Sequence, residues 1–220
     1  MLDTPGTART TPATLVAKQM IEAEASLIAA IPQRAEEQLE TIAHQILSIK
    51  GKVVFTGAGT SGHVARRAAH LFSVCGTPAM FLQPADALHG GVSAVQPMDA
   101  LIVVSKGGRS QEVNAVARLA HEIGLPVFSL TSVDQCDISD IVELNVVLPV
   151  DDISDPGGIV AMGSTLAQCA WLDALAVVLM RAKDYGFAQV LRSHPSGAVG
   201  GRTSLPPDLG HIDLGETGGR

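Results

Sequence analysis

Aromatic residues are scarce in this chain, and their scarcity excludes one class of binding protein. Phe, Trp and Tyr make up 3% of the 220 residues, with one Trp and one Tyr. Proteins that bind single-stranded nucleic acids stack the bases on aromatic side chains, so we expect no such surface. Charged residues are also few, at 17% against about 25% in an average globular domain, whereas 46% are hydrophobic. The chain therefore predicts a fold with an aliphatic core.

Basic residues and cysteines are also few. Fifteen Lys and Arg stand against 22 Asp and Glu, and the formal net charge of −7 argues against nucleic acid as a partner. The three cysteines, Cys75, Cys136 and Cys169, lack the close spacing of a zinc site or a disulfide framework. Residues 1–12 lack the apolar segment of a secretory signal. We expect a cytoplasmic protein without a structural metal.

The longest apolar stretch covers residues 159–180. Gln168 and Asp173 interrupt it, as does the small, polar step from Gly163 to Thr165. A membrane-spanning helix needs about 20 predominantly apolar residues with few polar interruptions. We therefore predict a helix buried in protein, and no membrane partner.

Short aliphatic runs separated by helix-length segments organise the middle of the chain. The predicted strands are residues 52–56, 78–82, 100–105, 125–130 and 145–150, and the predicted helices are 13–30, 33–49, 62–74, 110–123 and 157–182. Continuous hydrophobicity is typical of parallel strands that are buried between helices. The pattern predicts an α/β fold, a three-layer doubly wound sandwich around a five-stranded parallel sheet, preceded by an N-terminal helical pair. We expect one domain over residues 13–202, with flexible ends at 1–12 and 203–220.

Glycine and hydroxyl residues follow three of the predicted strands. The first strand leads into a loop with Gly59, Thr60 and Ser61, the third into Ser105, Lys106, Gly107, Arg109 and Ser110, and the fourth ends at Thr131. The carboxyl ends of parallel strands lie at one edge of a sheet, where backbone N–H groups at helix starts bind anions. These loops predict one phosphate site. The alternatives are that the first loop is only a tight connection and that Lys106 and Arg109 are solvated surface charges.

The first loop also matches the dinucleotide-binding pattern GxGxxG, at Gly57, Gly59 and Gly62. In that class an acidic residue about 20 positions further on binds the ribose. The second strand ends instead in Leu82, Gln83 and Pro84. A nucleotide-binding enzyme is therefore disfavoured.

Several longer segments carry a family resemblance. They are GAGTSGHVARR at 57–67, PADALHGG at 84–91, VVSKGGRSQEV at 103–113, GSTLAQ at 163–168 and SHPSGAVGGR at 193–202. The chain resembles the sugar isomerase (SIS) domain and, within it, the arabinose 5-phosphate isomerases. The resemblance implies a flavodoxin-like fold, a sugar phosphate as small-molecule ligand and assembly into a homo-oligomer, either a dimer or a tetramer.

The resemblance also implies roles for individual residues. The hydroxyls of Ser61, Ser105 and Ser110 match those that hold a sugar phosphate, and Gly107 stands where a further serine is usual. His89 and His194 match the two histidines associated with catalysis.

Other positions depart from the family pattern. Thr60 replaces a lysine and Arg109 replaces a glutamate. Another expected glutamate aligns near Ile153, with Asp151, Asp152 and Asp155 nearby. Exchanging a carboxylate for a guanidinium removes a proton acceptor and adds a cation with several donors. These changes predict a phosphorylated sugar other than arabinose 5-phosphate.

The expected function is aldose–ketose isomerisation of a sugar phosphate through an enediol. This acid–base chemistry needs no metal or organic cofactor, and imidazole suits it because its unperturbed pKa is about 6.5. Asp86, Glu112 and a histidine remain candidates for the enediol base. The alternative function is a non-catalytic SIS module that senses a sugar phosphate.

Overall fold

Five short strands form one parallel sheet in the structure, a computed structural model that describes residues 11–215. The strands are β1 (Val53–Thr56), β2 (Ala79–Phe81), β3 (Ala100–Val104), β4 (Val127–Thr131) and β5 (Leu144–Val147), in the order β2-β1-β3-β4-β5. The strand order reverses between β1 and β3. In doubly wound folds this reversal opens a crevice beyond the carboxyl ends of the two strands, where ligands bind.

Helices cover both faces of the sheet. They are α1 (Ala13–Ala29), α2 (Pro32–Ser48), α3 (Gly59–Val74), α4 (Pro84–Leu88), α5 (Gln111–Ile123), α6 (Gly163–Ala182), α7 (Phe187–Arg192) and α8 (Gly197–Gly200). The predicted α/β sandwich and N-terminal helical pair are confirmed.

Successive residues of each strand point to opposite faces, so the sheet has two cores. Val53 and Phe55 of β1 pack into the core shared with α2, α3 and α6, where the Phe55 ring meets the Phe72 ring edge-on at 4.9 Å. Val54 packs into the other core, together with residues of α4 and α5. All three strand residues are fully buried, as a sheet covered on both faces requires.

Helix α6 has the length and composition of a membrane-spanning helix. It packs against α1, α2 and α3, and 56% of its most apolar stretch of 18 residues is buried inside the protein. Trp171 and Leu175 are among its fully buried side chains. The prediction of a helix buried in protein agrees with this packing.

The start of α6 differs from the prediction. The helix begins at Gly163 rather than at residue 157, because Gly157 and Gly158 both have a φ of 66° in the turn that precedes it. This left-handed conformation is compatible with glycine and not with a continuing helix. The turn is what brings the segment before α6 to the candidate site.

Residues 210–214 contact the folded domain. The carbonyl of Gly210 accepts a hydrogen bond from Arg181 Nε at 2.9 Å, and His211 Nδ1 lies 3.0 Å from a carboxylate oxygen of Asp184. Leu214 packs against the core. The flexibility of residues 203–220 stays a prediction. Of the two predicted flexible ends, residues 1–10 and 216–220 lie outside the described residues.

Candidate anion-binding site at the carboxyl edge of the sheet

The loop after β1 comes into direct contact with the end of β3. A Cβ atom added at Gly57 would lie 2.7 Å from the carbonyl oxygen of Val104, and one added at Gly62 would lie 2.7 Å from the carbonyl oxygen of Gly57. Such distances leave no room for a side chain. The glycines therefore allow the first loop to close tightly against β3 at the point where the strand order reverses.

The first turn of α3 presents unpaired donors next to this loop. Thr60 is exposed and Ser61 is 8% exposed, and no side chain caps the helix. The first N–H groups of any helix lack intrahelical partners and carry the positive end of the helix dipole. Gly59, with a φ of 56°, faces open space, so an anion has room to approach these groups.

The loop after β3 forms a second turn of the same kind. Ser105 is buried, and its hydroxyl oxygen accepts a hydrogen bond from the N–H of Gly108 at 3.2 Å. Gly107 faces open space. Ser110 is the residue before α5, and its side chain makes no capping hydrogen bond to that helix. The N-terminus of α5 and the Ser110 hydroxyl are therefore available to an anion.

Lys106, a predicted phosphate ligand, has partners within the protein. Its ammonium lies 2.7 Å from Asp155 Oδ2 and donates a hydrogen bond to the carbonyl of Gly158 at 2.9 Å. Burial raises the pKa of the Asp155 carboxyl, but hydrogen bonds from Lys106, Ser164 and Met162 outweigh that effect, and the pKa lies below its ordinary value. Asp155 is therefore ionised and compensates the charge of Lys106.

Arg109 has different surroundings, although it stands in the same loop. Its side chain is exposed, and within residues 11–215 its guanidinium forms no hydrogen bond or ion pair. Its five N–H donors are consequently free to bind an anion in solution.

Thr131 is placed at the predicted edge, but its hydroxyl is used internally. It lies 2.7 Å from the carbonyl oxygen of Val133 and 3.0 Å from Asn145 Oδ1, and Thr131 is fully buried. The contact with Asn145 joins β4 to β5. The assignment of Thr131 as a phosphate ligand stays a prediction, and the structure assigns this hydroxyl a structural role.

The two predicted catalytic histidines lie on different segments. His89 follows α4, which comes directly after β2, and its side chain is exposed. His194 follows α7, and its Nδ1 lies 2.8 Å from the carbonyl oxygen of Val190. A proton on Nδ1 would satisfy that carbonyl and leave Nε2 as the acceptor in the neutral ring.

Helix α6 carries the chain away from the site before it reaches His194. Its first turn contacts Asp155, whereas just past its last turn Lys183 Nζ donates a hydrogen bond to Thr77, which precedes β2. Twenty residues of helix span about 30 Å. The hydrogen bonds of His194 stay within its own segment, with Val190 and Ser193. Within residues 11–215, no hydrogen bond joins His194 to His89 or to either of the two loops.

The sequence of this domain matches a known protein family. The family model of the SIS domain matches residues 46–178, more than half of the chain. The chain belongs to the SIS domain family. The strands, both hydroxyl-bearing loops and most of α6 fall within the matched residues.

The relatives of this SIS chain include arabinose 5-phosphate isomerases. KdsD of Escherichia coli O6:H1 is 30% identical over 188 residues, which are 86% of this chain and 57% of KdsD. KdsD of Francisella tularensis is 32% identical over 156 residues, which are 71% of this chain and 48% of that protein. The chain spans about half the length of these curated relatives.

Solved structures share the fold. A Listeria monocytogenes protein, assigned only provisionally as a sugar-phosphate isomerase, superimposes with a TM-score of 0.80 at 30% identity, over 85% of this chain and all of that one. A protein of E. coli CFT073, in complex with A5P, gives a TM-score of 0.79 at 26% identity, over 84% of this chain and all of that one. The Vibrio vulnificus NanR protein, at 21% identity, shares the fold alone.

The sequence places Asp155 near the position of an expected glutamate, but Asp155 was not predicted as a site residue. The apolar residues from Ile159 to Met162 continue the pattern of α6, and this continuity hid the turn that precedes the helix. The signal that was present is the Asp-Pro-Gly-Gly sequence from Asp155 to Gly158, since such residues are typical of turns.

Proposed function

We propose that this SIS domain is an aldose–ketose isomerase of a sugar phosphate, working by metal-free acid–base chemistry in the cytoplasm. The observation that carries the proposal is the meeting of two loops at the strand-order reversal. The N-terminus of α3 with Ser61 and the N-terminus of α5 with Ser110 both open onto that crevice. A dianionic phosphate matches two helix N-termini with free hydroxyls.

Holding the phosphate would place the reacting carbons outside the cradle. The substrate is anchored by its unreactive end, and that binding energy orients the carbonyl and the neighbouring carbon. His89 is exposed in the segment that follows β2, a strand whose carboxyl end lies at the same edge of the sheet, and the proposal has it reach a ligand that extends from the crevice.

The reaction moves two protons on an open-chain sugar. A base removes the proton from C-2 while an acid protonates the C-1 carbonyl oxygen, which gives an enediol. The deprotonated acid then takes the proton from the C-2 hydroxyl and the protonated base delivers its proton to C-1, which gives the ketose and restores both groups. We assign His89 and His194 to these transfers, and Asp86 and Glu112 remain alternatives for the carbon base.

His194 would come from a second copy of the chain. Its segment lies beyond the far end of α6, and its own hydrogen bonds are local. A dimer or tetramer that brings the Nε2 atom of one copy to the crevice of another supplies the second imidazole. The proposed active unit is therefore a homo-oligomer.

The proposed substrate is a phosphorylated sugar or sugar acid other than arabinose 5-phosphate. Arg109 is exposed and unpaired within the described residues, at a position where similar isomerases have a glutamate. A guanidinium binds a carboxylate or a second phosphate through two parallel hydrogen bonds, whereas a carboxylate accepts from sugar hydroxyls.

A panel of four- to seven-carbon aldose and ketose phosphates, including sugar acids, tests the proposal. NMR of each mixture should show interconversion of one aldose–ketose pair by the wild type and a large loss of rate in His89→Asn. A sensor module would bind a sugar phosphate without converting any. Binding without turnover across the whole panel would therefore favour the sensor over the isomerase.

A further inference from the structure

The two cations of the loop after β3 differ in what they contact. Lys106 is bound on two sides within the protein, by Asp155 Oδ2 at 2.7 Å and by the Gly158 carbonyl at 2.9 Å, and its side chain is 24% exposed. Arg109 is exposed and has no such partner in residues 11–215. The charge of Lys106 is already compensated, whereas that of Arg109 is not.

Asp155, the partner of Lys106, is itself bound to the start of α6. It is fully buried, and its second oxygen, Oδ1, accepts hydrogen bonds from the N–H groups of Met162 at 2.8 Å and Ser164 at 3.0 Å. Asp155 thereby caps the first turn of α6 from outside the helix. The carboxylate joins the start of α6 to the loop that carries Ser105 and Ser110.

We propose that Lys106 is a positioning residue, which holds the anion-binding loop in place through Asp155, and that Arg109 is the cation that contacts the substrate. This inference rests on the proposed function, because it assigns the roles of two residues of that site. The Lys106–Asp155 pair is neutral as a whole. It therefore holds the loop after β3 in place without adding net charge to the proposed phosphate site.

Replacing one charge of the Lys106–Asp155 ion pair should have a larger effect on substrate binding than replacing both charges. Lys106→Met leaves a buried carboxylate without its cation next to the phosphate cradle, and this charge repels the substrate. Asp155→Asn keeps an oxygen for the N–H groups of Met162 and Ser164 but releases the ammonium and the loop. The double variant removes both charges, and replacing a whole buried pair by neutral groups is far less costly than breaking it.

The chain contains a second pair that serves as a matched control. Lys52 Nζ lies 2.7 Å from Asp99 Oδ2 and donates to the carbonyl of Ala94 at 3.0 Å, and the two side chains are 29% and 2% exposed. Lys52 precedes β1 and Asp99 precedes β3, so this pair lies at the opposite edge of the sheet. Lys52→Met breaks a similar pair far from the site.

The test measures KM, kcat and the melting temperature of Lys106→Met, Asp155→Asn, the double variant and Lys52→Met, with the best substrate of the panel. We expect KM to rise by roughly tenfold or more in each single site variant and to return to within about threefold of wild type in the double variant. Lys52→Met should lower the melting temperature while KM stays within about twofold of wild type.

Three results would overturn the proposal. If the double variant is as poor as Lys106→Met, or if Asp155→Asn lowers KM, Lys106 binds the substrate directly. If Lys52→Met raises KM as much as Lys106→Met, the effect is one of general stability.

The dissociation constant of inorganic phosphate separates this proposal from the isomerase assignment. A wild type that binds phosphate but converts no sugar phosphate contradicts the isomerase, and the same four variants then decide the role of Lys106 through phosphate affinity. A wild type that binds no phosphate overturns both proposals.

Discussion

At the scale of single residues, Arg109 carries the proposed choice of substrate. Arg109→Glu restores the residue that similar isomerases have and should lower kcat/KM for the true substrate by roughly 10- to 100-fold, because a hydrogen bond to a charged group contributes about 1.5–3 kcal/mol. Arg118→Glu makes the same change at an exposed position of α5 and should cost less than about threefold. Steady-state kinetics of both variants, with arabinose 5-phosphate as a second substrate, check this. Efficient turnover of arabinose 5-phosphate by the wild type, unchanged in Arg109→Glu, would end the specificity argument.

The carboxyl of Asp155 makes stability depend on pH. Its pKa in the folded protein is lowered despite burial, because Lys106, Ser164 and Met162 donate to the carboxylate. An unfolded Asp has a pKa of about 3.9, so this contribution is complete above about pH 4 and is lost as the pH falls through the lower, folded value. Asp155→Asn should therefore lower the free energy of unfolding more at pH 6 than at pH 3, as measured by urea denaturation. An equal loss at both pH values would contradict the assigned ion pair.

Much of the site could be predicted from residues that are neighbours in sequence. Ser61 and Ser110 stand at helix starts after buried strands, and that local pattern alone places them at one sheet edge. The partners of Lys106 and Thr131 could not be predicted in this way. Asp155 and Asn145 reach them through tertiary packing, which no local spacing encodes.

At the scale of elements, the tight turn after β1 depends on Gly57. Gly57→Ala places a Cβ atom 2.7 Å from the Val104 carbonyl oxygen, and overpacking of this kind costs about 1–3 kcal/mol of stability. Gly107→Ala is the matched control, because Gly107 faces open space and its φ is not left-handed. Thermal unfolding should show a lower melting temperature for Gly57→Ala and little change for Gly107→Ala. Equal melting temperatures would show that the loop is not held against β3.

The strands were predictable from sequence, whereas the start of α6 was not. Val53, Val54 and Phe55 are all buried, and uninterrupted hydrophobicity is the direct consequence of a sheet covered on both faces. Before α6, however, an apolar run does not indicate a buried element. Ile159 is apolar yet 87% exposed, so it extends the apolar pattern without belonging to the helix.

At the scale of the whole molecule, apolar surface remains uncovered. Ile21 of α1 and Ile153 are 65% and 63% exposed, and Leu166 and Val177 of α6 are 39% and 41% exposed. Large apolar side chains left exposed together on a folded domain favour an interface. We expect at least a dimer at micromolar concentration, as measured by size-exclusion chromatography with light scattering. A monomer would contradict both the predicted assembly and a site shared between copies.

Mixing two inactive variants tests the shared site. His89→Asn and His194→Asn should each be inactive alone, because each lacks one imidazole in every site. Unfolding them together and refolding them should restore about a quarter of the wild-type activity, since random dimers leave about one site in four with both histidines. Mixtures that stay inactive although mixed oligomers form would place both histidines in the same chain's site.

Entry of solvent deuterium into the substrate tests the central claim of enediol chemistry most directly. In D2O the wild type should introduce deuterium at C-1 or C-2 of one sugar phosphate, detected by NMR as loss of the corresponding proton signal. His89→Asn should bind the same compound without this exchange. Interconversion of aldose and ketose without any deuterium at either carbon, or binding without exchange by the wild type for every sugar phosphate of the panel, would contradict the account.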